Sequence, residues 1–357
     1  MIKAEIVAHS TNQFGDELIS VLCTFPRIIL AEVNTHRMLS KNTSSSRAIP
    51  FNKMVEAIEN NPFIPIAWQK SHSGMQGTEY ITDAIEIQGK NLMWLAGRDR
   101  AIKTAKDLHE ADVTKQLANR LLEPFMWTTM LITGPKSGWD NFFNLRCPQY
   151  YFEPENKSYK SKKEWIDVWN ATFETGKDVS RPAKVEDWDN LFWLAQNKGQ
   201  AEIHMMALAE SIYDAVNEST PKLLQPGEWH IPFENKMDIS SEDYIKILGK
   251  VILSSEDLTK IKVKSSVAMA ARTSYTIVGE EKEIDYQKMV DLHDRLLSQD
   301  PPHSSPLEHC AKAMSESERL MYRKLEKPKN DSYGLGWCNN FKGFIPYRYL
   351  VDNKLSI

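Results

Sequence analysis

The sequence predicts an α+β protein, and three observations predict it. Two β-branched, apolar runs open the chain, Ile2 to Ala8 and Leu18 to Thr24. A third run, Phe125 to Thr133 (FMWTTMLIT), reads as a buried strand that stops at Gly134-Pro135. Segments with helical spacing of apolar residues outnumber these strands.

Taken in order, Pro26 stands where a first helical turn tolerates proline, and Ile28, Ile29, Leu30 and Val33 form a short apolar helix that runs into a polar loop, Thr35 to Arg47. A helix around Met54–Glu59 is followed by an irregular segment with Pro and Gly, 62–77. A long helical region covers Thr82 to Leu122 with a break near Arg98. Beyond the FMWTTMLIT strand come a short helix ending near Arg146, a tryptophan-studded stretch from Cys147 to Lys198, and a helix from Gln200 to about Val216. The loop Pro221–Phe233 leads to helices near Ser241–Leu253, Ser265–Ser274 and Asp285–Leu297. The chain closes with His303–His309, a strand-like Cys310–Met314 and an aromatic tail from Trp337 to Tyr349. No internal repeat or low-complexity tract is visible.

At 357 residues the chain can bury a substantial core. Its 41% hydrophobic and 26% charged content is that of a globular protein, and a net charge of −4 exerts no global pull on nucleic acid or membrane. No window approaches the roughly 18 uninterrupted apolar residues of a membrane span, and the start MIKAEIVAHS lacks the apolar region of a signal peptide. Cys23, Cys147, Cys310 and Cys338 are far apart, so neither a zinc site nor a disulfide framework is indicated, and a reducing, cytoplasmic compartment fits.

Four constellations carry chemistry. In the loop, Arg37, Lys41 and Arg47 bracket a run of hydroxyl and amide side chains, and the nearest acids in sequence, Glu32 and Glu56, leave the stretch without a neutralising carboxylate. Hydroxyls, backbone N–H groups and arginine forks suit phosphate oxygens; the other reading is a solvated basic loop. In Gly138–Arg146, the residues Trp139, Phe142, Phe143 and Arg146 share one helical face. An arginine in line with aromatic residues needs an anion or a carbonyl-rich partner, either a planar polar ligand or a core carboxylate such as Glu123 or Glu202. Glu202 lies in a first turn that favours acids, and His204 reads as an ordinary surface histidine. His303, Glu308 and His309 match no zinc spacing. Cys147 has no histidine nearby in sequence to activate it, so an inert thiol competes with a nucleophile there.

Together these fragments resemble the flavin-dependent thymidylate synthases. That family carries an Arg-His-Arg triplet, then spaced Ser, Asn and Glu, then Ser-x-Arg. Here His36-Arg37 match the end of the triplet, Ser40 and Asn42 follow, and Ser45-Ser46-Arg47 supplies Ser-x-Arg with the family's seven intervening residues after Arg37. Asn141, Leu145 and Arg146 resemble its Asn-x-x-x-Leu-Arg helix, and Gln200-Ala201-Glu202-Ile203 its Gln-x-Glu-Ile. Ser305–His309 resembles its Ser-Pro-x-Glu-His element, and Ala270–Tyr275 its Ala-Ala-Arg-x-Cys-Tyr helix. The last two elements come first in the family and last here, so the chain resembles a circularly permuted member of the longer phage type. Three departures stand out: Thr35 replaces the first arginine, Thr43 replaces a glutamate near the nucleotide, and an aromatic insertion at about 148–197 separates Arg146 from Gln200.

The resemblance implies a fold of helices packed on a mixed or antiparallel sheet, in permuted order and with a helical insertion. It implies a signature-loop, nucleotide- and flavin-binding part over 1–240, and a part over 241–357 that matches the family's N-terminal half, the two intertwined in one catalytic domain. Ser45, Ser46 and Arg47 would bind the phosphate of a pyrimidine deoxynucleotide, with Ser45 also counted with the catalytic machinery. Arg146 would meet the base edge and favour attack from C5. His36, Arg37, Asn42, Asn141 and His309 would contact FAD; methylenetetrahydrofolate would be the one-carbon donor and NADPH the reductant. The implied reaction is dUMP to dTMP in a homotetramer, in the host cytoplasm if the chain is phage-encoded, with no metal and no membrane partner. Thr43 and the insertion motivate a variant, C5 hydroxymethylation of dUMP or dCMP for modified DNA. A reading of another class is a non-catalytic nucleotide or single-strand binder, in which Trp165, Trp169, Trp188 and Trp193 stack on bases beside Lys160, Lys162 and Lys163. Glu164, Asp167, Glu174, Glu186, Asp187 and Asp189 dilute that charge, which favours a packed core of tryptophans instead.

Overall fold

The structure is a computed structural model that describes residues 1–73, 77, 79–173, 189–249, 254–275, 284–322 and 334–355. The readings placed on Trp188, Glu174, Glu186 and Asp187, and the end of the helix expected to reach Leu253, lie outside the described residues.

The opening apolar runs pair as an antiparallel hairpin, β1 (Lys3–Asn12) and β2 (Glu17–Pro26). Its turn is held by the Asn12 carboxamide oxygen, which accepts from the N–H groups of Phe14 and Asp16 at 2.9 and 3.1 Å. A 3-10 turn leads into α1 (Leu30–Asn34). The Thr35–Arg47 stretch, read as a loop, contains a strand, β3 (Ser40–Thr43), so that reading is corrected. Its buried face carries Ser40 and Asn42 rather than apolar residues, which removed the usual sequence signal for a strand.

Next come α2 (Phe51–Asn60), α3 (Ala84–Glu110) and α4 (Lys115–Ala118). The expected break near Arg98 is absent: α3 runs through it and ends where Asp112 adopts φ of 62°. The FMWTTMLIT strand is β4 (Trp127–Pro135), which continues through Gly134-Pro135 because both residues pair with β2. A Cβ on Gly134 would stand 2.3 Å from the Leu39 side chain, so glycine there lets Leu39 anchor the loop against the sheet. From β4 the chain turns directly into α5 (Lys136–Arg146).

The segment after α5 forms a small module of β5 (Tyr150–Phe152), β6 (Lys157–Tyr159), α6 (Lys162–Phe173) and α7 (Asn190–Gln196). Then follow α8 (Ile203–Glu218), β7 (Lys222–Leu224) and β8 (Trp229–His230). The remainder holds α9 (Ser241–Leu248), α10 (Ser255–Arg272), α11 (Tyr286–Leu297), β9 (Ala311–Ala313) and α12 (Glu316–Met321). It closes with β10 (Trp337–Cys338), β11 (Phe341–Lys342), β12 (Phe344–Pro346) and α13 (Tyr347–Asp352). Capping boxes start α9, α10 and α12 at Ser240, Ser254 and Ser315.

The central sheet has the order β3-β4-β2-β1-β7, antiparallel except for β7, which lies parallel to β1. It is therefore a mixed sheet in an α+β architecture. One face is covered by α5 and α8: Trp139, Phe142, Phe143, Met205, Leu208 and Ile212 pack on Ile19, Val21, Cys23, Met130 and Ile132. The other face meets the C-terminal part, with Leu18 against Ala311, Ala313 and Phe344, and Val7 and Leu131 against Ala270. Burial on both faces explains why β2 reads as a continuous apolar run. The second sheet, β12-β9-β8, pairs β8, which precedes residue 241, with β9 and β12, which follow it.

No helix among the described residues is long and apolar enough to cross a membrane.

Candidate functional site

Residues from three sequence fragments meet where α1, α5 and α8 converge. The Arg146 Nε donates to the His36 Nε2 at 3.0 Å, and its Nη2 reaches the Thr35 Oγ1 at 3.5 Å. Thr35 in turn donates to the Glu32 carbonyl at 2.6 Å. The His36 ring rests edge-on against Phe142, with centroids 4.8 Å apart, so the aromatic face that carries Arg146 also seats its histidine partner. Burial, then the charges of Arg146 and Lys41, lower His36 to about 4, so it is neutral at pH 7 and its Nε2 lone pair is free to accept. Among the described residues Arg146 has no carboxylate in ion-pair contact, which corrects the expected pairing with Glu123 or Glu202. Glu123 is taken by Arg27 and Arg120 at 3.4 and 3.0 Å. Glu202 is the N-cap of α8, accepting from the N–H groups of His204 and Met205, and it binds the His204 ring.

His204 is buried rather than on the surface. Its Nε2 accepts from the Ile66 N–H at 3.1 Å, so the proton sits on Nδ1 and faces Glu202. Glu32, read from the sequence only as a nearby acid and not as a site residue, stands four residues before His36; its carboxyl is raised by burial and by Glu202, and drawn back by Arg146 and His204. The i, i+4 spacing of Glu32 and His36 at the end of an apolar helix was the available signal.

The other end of β3 carries the anion-binding candidates. The Ser45 N–H donates to the Ser274 carbonyl at 2.8 Å, while its hydroxyl and the exposed Arg47 guanidinium have no partner among the described residues. Beside Ser274 opens a cavity of about 870 Å³ lined in part by Arg272, Tyr275 and Arg295. Ser46 is fully enclosed and donates to Glu123. Lys41 turns inward onto the His36 and Leu39 carbonyls, and burial lowers it to about 8 against the pull of Glu308. The loop therefore does meet carboxylates: Glu123 and Glu308, distant in sequence, are folded against it, which corrects the view that nothing neutralises it. Between the two ends, β3 spans about 10 Å at ~3.3 Å per residue.

Asn42 is buried on β3. Its amide donates to the Ala270 carbonyl and its oxygen accepts from the Ser305 Oγ at 3.1 Å, so it fastens the C-terminal part to the sheet. Asn42→Ala is expected to lower stability by about 1–3 kcal/mol, the cost of leaving buried partners unmet, read as the shift of a urea midpoint at unchanged slope.

His309 is enclosed between the two sheets. Its Nδ1 bonds the Thr133 Oγ1 at 2.8 Å, and the chain continues through Ser20 and His230 to Ser10 with links of 2.6, 2.8 and 2.9 Å. The His309 Nε2 is buried with no partner among the described residues. Burial lowers both His230 and His309 to about 3. Of the five residues that the family resemblance assigns to a flavin, Arg37 and Asn141 are exposed; Asn141 stands one turn beyond Gly138, whose position packs on Met38 and Leu39. Arg37 and Asn141 are thus open to a ligand, whereas His36, Asn42 and His309 have their polar atoms committed or enclosed.

His303 is exposed while His309 is enclosed, and Glu308 pairs with Arg348. Among the described residues no cluster of His, Cys, Asp or Glu is placed to hold a metal ion. Cys147 is buried, and burial pushes its thiol above the usual range, as expected for an inert thiol. In the module of β5, β6, α6 and α7, Trp165 and Trp193 are 3% and 6% exposed and pack with Tyr150, Phe152 and Tyr159, so their ring faces are not open to bases.

The protein is thus an α+β protein in which Arg146 and His36 meet near one end of β3, while Ser45 and Arg47 stand at its other end. No family model matches the chain, and no curated protein matches it. Among solved structures, a UMP/dUMP methylase, PolB from Streptomyces cacaoi, bound with 5-Br UMP, is similar at 13% identity and a TM-score of 0.36, over 48% of this chain and 90% of that one. Its form bound with 5-Br dUMP is similar at 12% identity and 0.36, over 48% and 91%. Thymidylate Synthase X from Helicobacter pylori, with FAD and dUMP, is similar at 15% identity and 0.28, over 56% and 67%.

Proposed function

We propose that this protein transfers a one-carbon unit to C5 of a pyrimidine deoxynucleotide, with dUMP as the first substrate. The observation that carries the reading is the Arg146–His36 hydrogen bond. It joins residues 110 positions apart that belong to two separate motif fragments, and it fixes the plane of a guanidinium whose Nη1 has no partner among the described residues. A cation held at the base edge stabilises negative charge as the ring becomes nucleophilic at C5. Neutral His36 orients Arg146 without competing for the ligand, and Thr35 takes a second N–H of the same guanidinium. Ser45 and Arg47, at the far end of β3, suit the phosphate. Glu32, whose carboxyl is raised by burial and by Glu202, is the acid beside Arg146. A flavin held by Arg37 and Asn141 beside His36 would supply hydride for reduction of the transferred carbon.

The test is the absorbance spectrum of the purified protein, followed by incubation with methylenetetrahydrofolate, NADPH and either dUMP or dCMP. The expected result is a flavin spectrum and a methylated product from dUMP. A hydroxymethylated product from either nucleotide moves the assignment to modified-base synthesis. No binding of and no product from either nucleotide overturns the reading.

A further inference from the structure

We infer that Asn119 is a positioning residue for the anion end of the site: it acts through Arg47 and sets the affinity for the nucleotide phosphate. This rests on the phosphate role proposed above for Ser45 and Arg47. Asn119 belongs to none of the motif fragments. It follows α4 and opens the 3-10 turn Asn119–Phe125, where it is fully enclosed. Its Nδ2 donates to the Ser46 carbonyl at 2.7 Å and to the Ile49 carbonyl at 3.1 Å. Arg47 lies between those two residues, so one carboxamide holds the backbone on both sides of it.

The rest of this turn is fastened as well. The Ala48 and Ile49 N–H groups donate to the Ser45 carbonyl at 2.9 and 3.2 Å. Lys115 donates to the Ala48 carbonyl at 3.1 Å, and Arg27 to the Ser44 carbonyl at 2.8 Å. The Ser44 and Ser46 hydroxyls bond Thr128 and Glu123. Left without a partner among the described residues are the Ser45 hydroxyl and the exposed Arg47 guanidinium. An arginine on a fixed backbone gives up less freedom on meeting an anion than one on a loose loop.

The chemistry of Asn119 itself is the second observation. Its Oδ1 is buried with no partner among the described residues. Turning the carboxamide over would aim that oxygen at the Ser46 and Ile49 carbonyls, so the turn fixes its orientation. An enclosed, unmet acceptor is unfavourable. Ala118 and Leu122 of the same segment belong to an apolar core with Ile49 and Phe51, so packing alone would favour leucine at 119. What asparagine supplies there, and leucine cannot, is the pair of N–H bonds that shape the backbone around Arg47.

The experiment is titration of the full chain with dUMP and with deoxyuridine, which lacks the phosphate. It compares the wild type, Asn119→Leu, Arg47→Ala and the double variant, with circular dichroism as the folding control. Asn119→Leu is expected to weaken dUMP binding about tenfold, the scale of one or two lost hydrogen bonds. Deoxyuridine binding should not change, and with dUMP as substrate KM should rise while kcat holds. On top of Arg47→Ala the same substitution should weaken dUMP binding no further, because the residue it acts through is gone. Asn119→Ala is the second variant, read in its place if Asn119→Leu does not fold. The inference is overturned if dUMP affinity is unchanged, if both ligands weaken together, or if the effect adds in full to that of Arg47→Ala. A wild type that binds dUMP no better than deoxyuridine overturns the phosphate role of Ser45 and Arg47 as well, which tells the two failures apart.

Discussion

Under the proposed function, Arg146→Ala is expected to lower product formation by about 10²- to 10³-fold, the effect of removing a cation proposed to face developing ring charge, worth about 3–4 kcal/mol. The fold should survive, because Arg146 is half-exposed at the end of α5 and the described residues give it no carboxylate partner to strand. Arg146→Lys should rescue little: an ammonium cannot offer one N–H to His36 and further N–H groups in the same plane to a base. The measurements are turnover of dUMP at saturating cofactors and nucleotide affinity by titration, with circular dichroism as the folding control. Activity retained in Arg146→Ala would show that the base edge lies elsewhere.

Acid should unfold the protein through its buried histidines. His230 and His309 sit in the hydrogen-bonded chain between the sheets and are lowered to about 3. An unfolded histidine takes its proton near pH 6.5. Between pH 6.5 and 3 the unfolded state therefore binds protons that the folded state refuses. Their contribution to stability is complete above pH 6.5 and is lost as pH falls, by at most about 1.4 kcal/mol per pH unit for each histidine. Two such groups amount to at most about 4 kcal/mol between pH 6.5 and 5. His36, lowered to about 4, and His293, lowered by burial, act in the same direction. Urea midpoints at pH 7 and 5 check this, and His230→Asn with His309→Asn should flatten the difference. An equal pH dependence in that double variant would mean that other groups carry acid unfolding.

The strands with apolar faces were legible, because β1, β2 and β4 carry the residues that pleated, buried surfaces require. β3 was not: its inward residues, Ser40 and Asn42, are polar, and what holds the strand is pairing to β4 and bonds to Ala270 and Ser305. The loop's charge was misread for a related reason. Sequence neighbours showed no carboxylate, but Glu123 reaches Ser46 and Glu308 lies beside Lys41 only after folding. His204 passed for a surface residue because a histidine is equally at home exposed, and its burial depends on the Ile66 amide, 138 positions away.

The sequence by itself determined the α+β class, the aromatic face of α5 ending in Arg146, and the residue types able to bind a phosphate. Periodicity and side-chain chemistry are local, so these could be read without coordinates. Only the tertiary structure decided which of those residues lie together. It joined Arg146 to His36 and set Glu32 beside them, left Ser45 and Arg47 open at the far end of β3, and closed Ser46, Asn42 and His309 into the interior. The reason is physical: burial and hydrogen-bond partners are set by contacts between distant segments, and those contacts determine the protonation, orientation and accessibility of each group.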